Sequence, residues 1–188
     1  MTSPPNGARH GRRNGPEAAS PSDWDAERTV AYLLRLLTRR DHARAELEER
    51  LRRKGVEPQV ATAALARLEE LDLLDDRRVA EGLVRARRHR KGRHALARDL
   101  HRFGVPGDLR DAALAPLHDE DQERTARQVL DAHAWRFAAP DRRKAYAKAA
   151  AFLARRGFPS DPARAALDAF FENRGFENRE VEDRDAAS

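Results

Sequence analysis

The chain has 188 residues and no cysteine, which excludes disulfide bonds and thiolate metal sites and fits a reducing, cytoplasmic location. Ala, Leu, Arg and Glu dominate and aromatic residues make up only 6%, a composition that favours helix throughout. Lys and Arg number 37 against 32 Asp and Glu, a net charge of +5, and no apolar run approaches the roughly 18 residues that a membrane span needs, so we expect no membrane contact.

Composition divides the chain into a head, three helical segments and a tail. The head and the tail are poor in apolar groups, which predicts disorder in both, and the head lacks the apolar core of a secretory signal. Each segment between them has apolar residues at helical spacing and predicts three helices. The predicted boundaries are 1–22 for the head, 23–74, 75–118 and 119–172 for the three segments, and 173–188 for the tail.

The helix boundaries in the first segment follow from turn and capping residues. The second helix is predicted from near Asp41 to Gly55, and the third begins at Pro58, because proline is favourable in the first turn of a helix. The second segment opens with Asp75-Asp76. The simplest interpretation of this carboxylate pair is a helix cap with a favourable charge at the helix amino terminus.

One block of spacing recurs in all three segments. A Leu-x-x-x-Gly motif occurs three times, and ten residues after each glycine stands the Leu of an Ala-Leu pair. The copies are offset by 49 and 53 residues, and the motif residues are Leu51 and Gly55, Leu100 and Gly104, and Leu153 and Gly157. Such a period is typical of helical repeats. The fold class that we predict is all-α, an elongated, right-handed, solenoid-like array of three tandem three-helix repeats.

The motif residues carry a structural expectation of their own. Each glycine is expected to follow a helix and to take a positive φ, which glycine adopts without the steric cost that a Cβ imposes. The three leucines are expected to occupy equivalent buried sites. Both expectations follow from the register of the repeat rather than from any single motif.

The middle segment carries the basic excess. Residues 75–118 have 11 basic and 6 acidic side chains, whereas the segments on either side are close to neutral. On a helical wheel, Arg98 and Arg102 fall opposite the apolar Leu96 and Leu100. A basic patch on an otherwise balanced protein suggests a polyanionic partner. The candidate residues for binding nucleic acid or a filament are Arg85, Arg87, Arg88, Arg90, Lys91, Arg93, Arg98 and Arg102, a run in which Asp99 is the one acidic interruption.

Simpler interpretations stand beside the functional one. A basic run is often only a solvated helix face, although such faces usually alternate in sign. The histidines lack the spacing of a zinc helix, and no phosphate-binding glycine loop or nucleophile motif is present, so we expect no metal, no cofactor and no enzyme activity. Trp24 and Trp135 are interpreted as core or interface anchors, and the scarcity of aromatic residues argues against base-stacking platforms.

Two stretches resemble a known family. One stretch runs from Leu73-Leu74-Asp75-Asp76 through the basic run and Gly92 to Leu100-His101-Arg102-Phe103-Gly104-Val105. The other stretch lies in the first segment and contains Ala31-Tyr32-Leu33-Leu34-Arg35 followed by Arg44-Ala45-Glu46-Leu47. In this order the motifs resemble the RecX family of bacterial recombination regulators over about residues 26–172. The family usually has Ser where Ala43 stands, which leaves Asp41 as the expected helix cap, and aromatic residues where Val79 and Leu83 stand.

The resemblance implies a function and a partner. Members of the RecX family lie in the groove of filaments that the recombinase RecA forms on single-stranded DNA, and they restrain its ATPase and strand-exchange activities. The chain is therefore expected to be a non-enzymatic, monomeric modulator in recombination, DNA repair and the SOS response, with single- or double-stranded DNA as a further partner. Two alternatives stay open: a helix-turn-helix-like DNA-binding regulator, and a protein-binding helical solenoid without nucleic-acid contact.

Overall fold

The computed structural model describes residues 24–138 and 141–173, and this part of the chain folds into nine α-helices and one short 3₁₀ helix, with no strand. The helices of unit 1 are α1 Ala26–Leu37, α2 Arg44–Arg53 and α3 Pro58–Glu70. Those of unit 2 are α4 Asp76–Arg87, α5 Arg93–Arg102 and α6 Gly107–Leu114. Unit 3 contains α7 Asp119–Ala132, the 3₁₀ helix Ala134–Arg136, α8 Arg142–Arg155 and α9 Ser160–Glu172.

Each unit has a buried apolar cluster of its own, which confirms the prediction of three tandem three-helix repeats. The repeat leucines Leu51, Leu100 and Leu153 are each completely buried, one in each cluster, as the register predicts. The first and third helices of a unit pack together, and the second helix packs against the third. The described part of the chain therefore folds around three small apolar cores, one in each unit.

The repeated glycines end the second helix of each unit. Gly55, Gly104 and Gly157 have φ values of 72°, 76° and 76°, which confirms the expected positive φ. At each turn the residue after the glycine donates its N–H to the carbonyl of the repeat leucine: Val56 to Leu51 at 3.1 Å, Val105 to Leu100 at 3.1 Å and Phe158 to Leu153 at 3.3 Å. This is the Schellman arrangement, in which an apolar residue beyond the glycine also packs back on the helix. It explains the motif Leu-x-x-x-Gly followed by Val or Phe.

The amino terminus of α2 is capped from the neighbouring unit, and the expected cap at Asp41 is wrong. The helix begins at Arg44, after a fully buried Ala43 that contributes to the core of unit 2. The Arg44 N–H donates to Asp76 Oδ1 on α4 at 2.7 Å. Asp75, as predicted, caps its own helix, because its side chain accepts from the Arg78 N–H at 3.1 Å. The carboxylate pair thus caps two helices in two units.

The junction between units 2 and 3 brings backbone against backbone. The Gly92 N–H donates to the Arg156 carbonyl at 2.9 Å, and the His94 N–H donates to the Gly157 carbonyl at 3.0 Å. A Cβ at Gly92 would lie 2.3 Å from atoms of Phe158, so this approach requires glycine. The start of α5 is therefore fixed directly against the turn that ends α8.

Some sequence expectations concern residues that lie outside the described ranges. The predicted disorder of the head at 1–22 belongs to this group, as does that of the tail beyond residue 173. Within the described ranges, no helix combines the length and apolar character that a membrane crossing needs.

Candidate functional site

A cleft of about 330 Å³ opens at the junction of units 2 and 3. Its walls come from the loop before α5, from α5 itself and from the end of α8. Six of its eight lining residues are Lys or Arg, and we call it the basic cleft. The lining residues are Arg90, Lys91, Ala95, Arg98, Asp99, Arg102, Arg155 and Arg156. The fold thus concentrates positive charge where two units meet.

Asp99 is a buried partner for the basic residues rather than an interruption among them. Its carboxylate accepts from Arg87 Nη1 at 2.6 Å and from Lys91 Nζ at 2.5 Å, and Arg102 Nη2 lies 3.7 Å away. Burial of the Asp99 carboxyl opposes ionisation, but hydrogen bonds from Lys91 and Arg87 outweigh it, so its pKa lies below the usual range. Arg87 and Lys91 are therefore held in place and do not project freely from the turn.

Arg93 joins the units and does not line the cleft. Its N–H donates to Oε1 of the buried Gln122 on α7 at 2.7 Å, and its Nη1 donates to the Leu117 carbonyl at 3.2 Å. This capping of α5 from unit 3 repeats the capping of α2 from unit 2. Sequence reasoning did not identify Gln122, whose side chain caps a helix almost thirty residues away in the chain.

The structure divides the eight predicted binding residues. Four of them line the basic cleft: Arg90, Lys91, Arg98 and Arg102. Arg87 does not line the cleft but pairs with Asp99, which does. Arg93 makes its hydrogen bonds at the junction of units 2 and 3. Arg85 and Arg88 are exposed outside the cleft. The sequence pattern therefore identified four residues of the basic cleft, which two units form together, and not one face of a single helix.

Unit 3 supplies two further cleft residues, Arg155 and Arg156, which the sequence analysis missed. They directly precede Gly157 in the third repeat motif, a position whose meaning depends on how the units stack. The Arg156 guanidinium lies 3.7 Å from the Phe152 ring centroid. Burial and the nearby Arg136 and Arg155 lower the pKa of Arg156.

Several cations at the cleft have no carboxylate partner. Among the described residues, no carboxylate lies within 4 Å of the charged groups of Arg90, Arg98, Arg155 or Arg156. The contrast with unit 1 is direct. There, carboxylates of α2 pair with nearby arginines: Glu46 binds Arg50 and Arg40, which precedes the helix, and Glu49 binds Arg52 and Arg53. The basic cleft therefore retains positive charge that unit 1 has compensated.

This arrangement suits binding of an anion. Arginine guanidinium groups that converge on one cleft favour phosphates and carboxylates, to which they donate paired hydrogen bonds. Within the described residues, no group of three or more His, Asp or Glu side chains is placed to hold a metal ion.

All three units match models of one family. Residues 30–68 match the first three-helix domain of RecX, residues 75–114 the second and residues 119–167 the third. The matches follow the order of the repeats along the chain. They cover α4 and α5 with all eight predicted basic residues, and the end of α8 with Arg155 and Arg156.

Known proteins of this family are similar over most of the chain. The regulatory protein RecX of Streptomyces coelicolor (strain ATCC BAA-471 / A3(2) / M145) is 32% identical over 169 residues, covering 89% of this chain and 90% of that protein. That of Mycolicibacterium vanbaalenii is 40% identical over 152 residues, covering 76% and 82%. The crystal structure of RecX from Lactobacillus salivarius shares the fold, with a TM-score of 0.71 at 22% identity over 78% of this chain and 96% of that one. The resemblance seen in the sequence is confirmed, and the chain belongs to the RecX family.

Proposed function

We propose that this protein is a non-enzymatic regulator that binds RecA filaments on single-stranded DNA and restrains their ATPase and strand-exchange activities. The observation that carries the proposal is the basic cleft between units 2 and 3, in a chain of the RecX family whose relatives are named regulatory proteins. In this role the protein acts in the cytoplasm, in recombination, DNA repair and the SOS response.

The binding mode follows from the distribution of charge. A RecA filament presents DNA phosphates and acidic protein side chains, and the unpaired arginines of the cleft complement both. Phosphate contacts release counterions, so the interaction weakens as salt rises. Separate units that each contact the filament weakly add their contributions, because binding by one raises the effective concentration of the next.

The direct test is the rate of ATP hydrolysis by a cognate RecA on single-stranded DNA, with this protein added from substoichiometric amounts upward. We expect the rate to fall, and we expect the protein alone to hydrolyse neither ATP nor DNA. An unchanged rate at several-fold excess over RecA contradicts the proposal. Measurable hydrolysis by the protein alone contradicts its non-enzymatic part.

Salt dependence separates this function from a purely protein-binding solenoid. Filament affinity is expected to fall steeply between low and moderate salt, in proportion to the phosphate contacts made.

A sequence-specific duplex-binding regulator, the other alternative, would discriminate among duplex sequences. We expect equal affinity for unrelated duplexes of the same length.

A further inference from the structure

Trp135 is the most exposed large apolar side chain among the described residues, at 77% of its full accessibility. Of the two roles expected for it, core anchor or interface anchor, its exposure contradicts the first and leaves the second as a prediction. Tryptophan is highly buried on average, and it is enriched at interfaces because its ring is apolar while its N–H can hydrogen-bond. Trp24, by contrast, is half-buried and packs edge-on against Tyr32 with ring centroids 5.5 Å apart.

The segment that carries Trp135 is held firmly from both sides. Phe137 is buried, and its ring lies 5.2 Å from that of Phe152 and 6.1 Å from that of Phe170. On the other side, His133 Nδ1 lies 2.8 Å from the Val129 carbonyl oxygen. The short 3₁₀ helix between these anchors presents the indole to solvent from a fixed support.

Arginines connect Trp135 to the basic cleft. The Arg136 guanidinium carbon lies 5.7 Å from the Trp135 ring centroid and 5.3 Å from that of Phe152. Arg156, which lines the cleft, contacts the same Phe152 ring. Successive contacts from Trp135 through Arg136 and the buried Phe152 ring to Arg156 thus link the exposed indole to the cleft.

Although the scarcity of aromatic residues argued against base-stacking platforms, we propose that Trp135 and Arg136 form a stacking site for a base of single-stranded nucleic acid, whose phosphates continue into the basic cleft. An indole face beside a guanidinium is the surface on which an unstacked base packs, and the cleft cations match the phosphates. A duplex fits poorly, because its bases are already stacked and paired. The site deepens the proposed function, since it places DNA contact on unit 3 and makes binding measurable without RecA.

The experiment uses tryptophan fluorescence. Only two tryptophans are present, so the Trp24→Phe variant of the full chain makes Trp135 the sole reporter. The probes are an oligothymidylate of about 12 nucleotides, an abasic oligonucleotide of equal length and a duplex of equal length, all without RecA. The oligothymidylate is expected to quench Trp135 saturably. The abasic strand is expected to bind, as seen by anisotropy, with little quenching.

A variant tests whether the ring contributes to affinity. Trp135→Ala is expected to weaken oligothymidylate binding about tenfold, the range of one stacked base, and to leave abasic binding unchanged. Trp24→Phe is the matched control and should bind as the parent does. Quenching by the abasic strand equal to that by oligothymidylate overturns the proposal, as does unchanged affinity in Trp135→Ala.

RecA assays keep this proposal distinct from the proposed function. Trp135→Ala with normal oligonucleotide binding but lost RecA inhibition overturns the stacking site and assigns Trp135 to a protein contact. Parent protein that fails to inhibit RecA while its Trp135 is quenched by oligothymidylate overturns the regulatory function and supports the stacking site. Circular dichroism confirms folding of each variant, and exposure of the ring predicts no change.

Discussion

At the scale of single residues, the repeat motif is a rule about backbone geometry. Glycine is required where the chain turns with positive φ, and at Gly157 a second constraint is added by the neighbouring unit. A Cβ there would lie 2.3 Å from the Ala95 nitrogen and 2.6 Å from its Cβ. The turn that ends α8 therefore fits against α5 only while this position has no side chain.

Gly157→Ala is expected to destabilise the protein by more than the roughly 1–2 kcal/mol that the left-handed conformation costs an L-residue, because of the clash with α5. Gly82→Ala is the matched control. Gly82 lies inside α4, and a Cβ there meets nothing within 4 Å, so alanine should stabilise by about 0.5–1 kcal/mol. Urea unfolding of both variants gives the comparison, and equal midpoints contradict the account.

Glu46 provides a pH-dependent test in unit 1. Burial raises its pKa, but hydrogen bonds from Arg40 and Arg50, together with the nearby His42 ring, outweigh burial and lower it from 4.5 to about 2. The unfolded chain then binds more protons than the folded one between these values, so this stabilisation is present above 4.5 and lost as pH falls towards 2. Glu46→Gln should destabilise at pH 7, with a difference from the parent that shrinks across this window.

The control for this titration is Glu48→Gln, whose side chain is about half exposed and pairs with Arg44 alone on its own helix. Exposed pairs contribute little, so its unfolding free energy should stay near that of the parent at every pH. A gap between parent and Glu46→Gln that stays constant from pH 7 to pH 2 would show that the carboxylate charge is not the source of the stabilisation.

At the scale of elements, the second helix of units 1 and 2 depends on the unit that follows it. Neither α2 nor α5 has a side-chain cap of its own, and each receives one from the first helix of the next unit. This explains how Ala43 can stand where a capping serine is usual. The position contributes to the core of unit 2, and Asp76 supplies the acceptor. Capping thus joins the units in the same way at both junctions.

Gln122→Ala should cost about 1–3 kcal/mol, because it leaves the Arg93 N–H without its acceptor at the buried junction. Gln128→Ala is the matched control, since this glutamine is exposed on the same helix and should change stability little. Urea midpoints measure both, and amide exchange at Arg93 reports the junction locally. Unaltered exchange at Arg93 in Gln122→Ala would contradict the cap.

At the scale of the whole molecule, local rules were predictable from the sequence and contacts between units were not. The glycine turns and repeat leucines followed from spacing, because a Schellman turn is encoded within six residues. Asp99 was misjudged because its partners Arg87 and Lys91 reach it only once α4 and α5 pack. Arg155 lines the cleft only because unit 3 stacks on unit 2, and no periodicity encodes that contact.

The exposure of Trp135 could not be predicted from the sequence either. A tryptophan near the end of a helix is compatible with core, interface or surface, and local pattern does not choose among them. The 3₁₀ helix determines which of the two neighbouring aromatic rings is buried: Phe137 packs in the core and Trp135 is exposed. Sequence thus predicted the helical repeats and part of the basic surface, and tertiary packing determined how that surface is completed.

The most direct measurement of the central claim is RecA ATPase on single-stranded DNA with three proteins: the parent, Arg98→Glu/Arg155→Glu and Arg124→Glu/Arg164→Glu. The second carries reversed charge in the cleft, one residue from each unit. The third changes net charge equally at exposed arginines paired within their own helices, and stability should barely change in either. The account predicts that the parent and the third protein slow hydrolysis while the cleft variant largely does not. Inhibition by the cleft variant equal to that by the parent would contradict it.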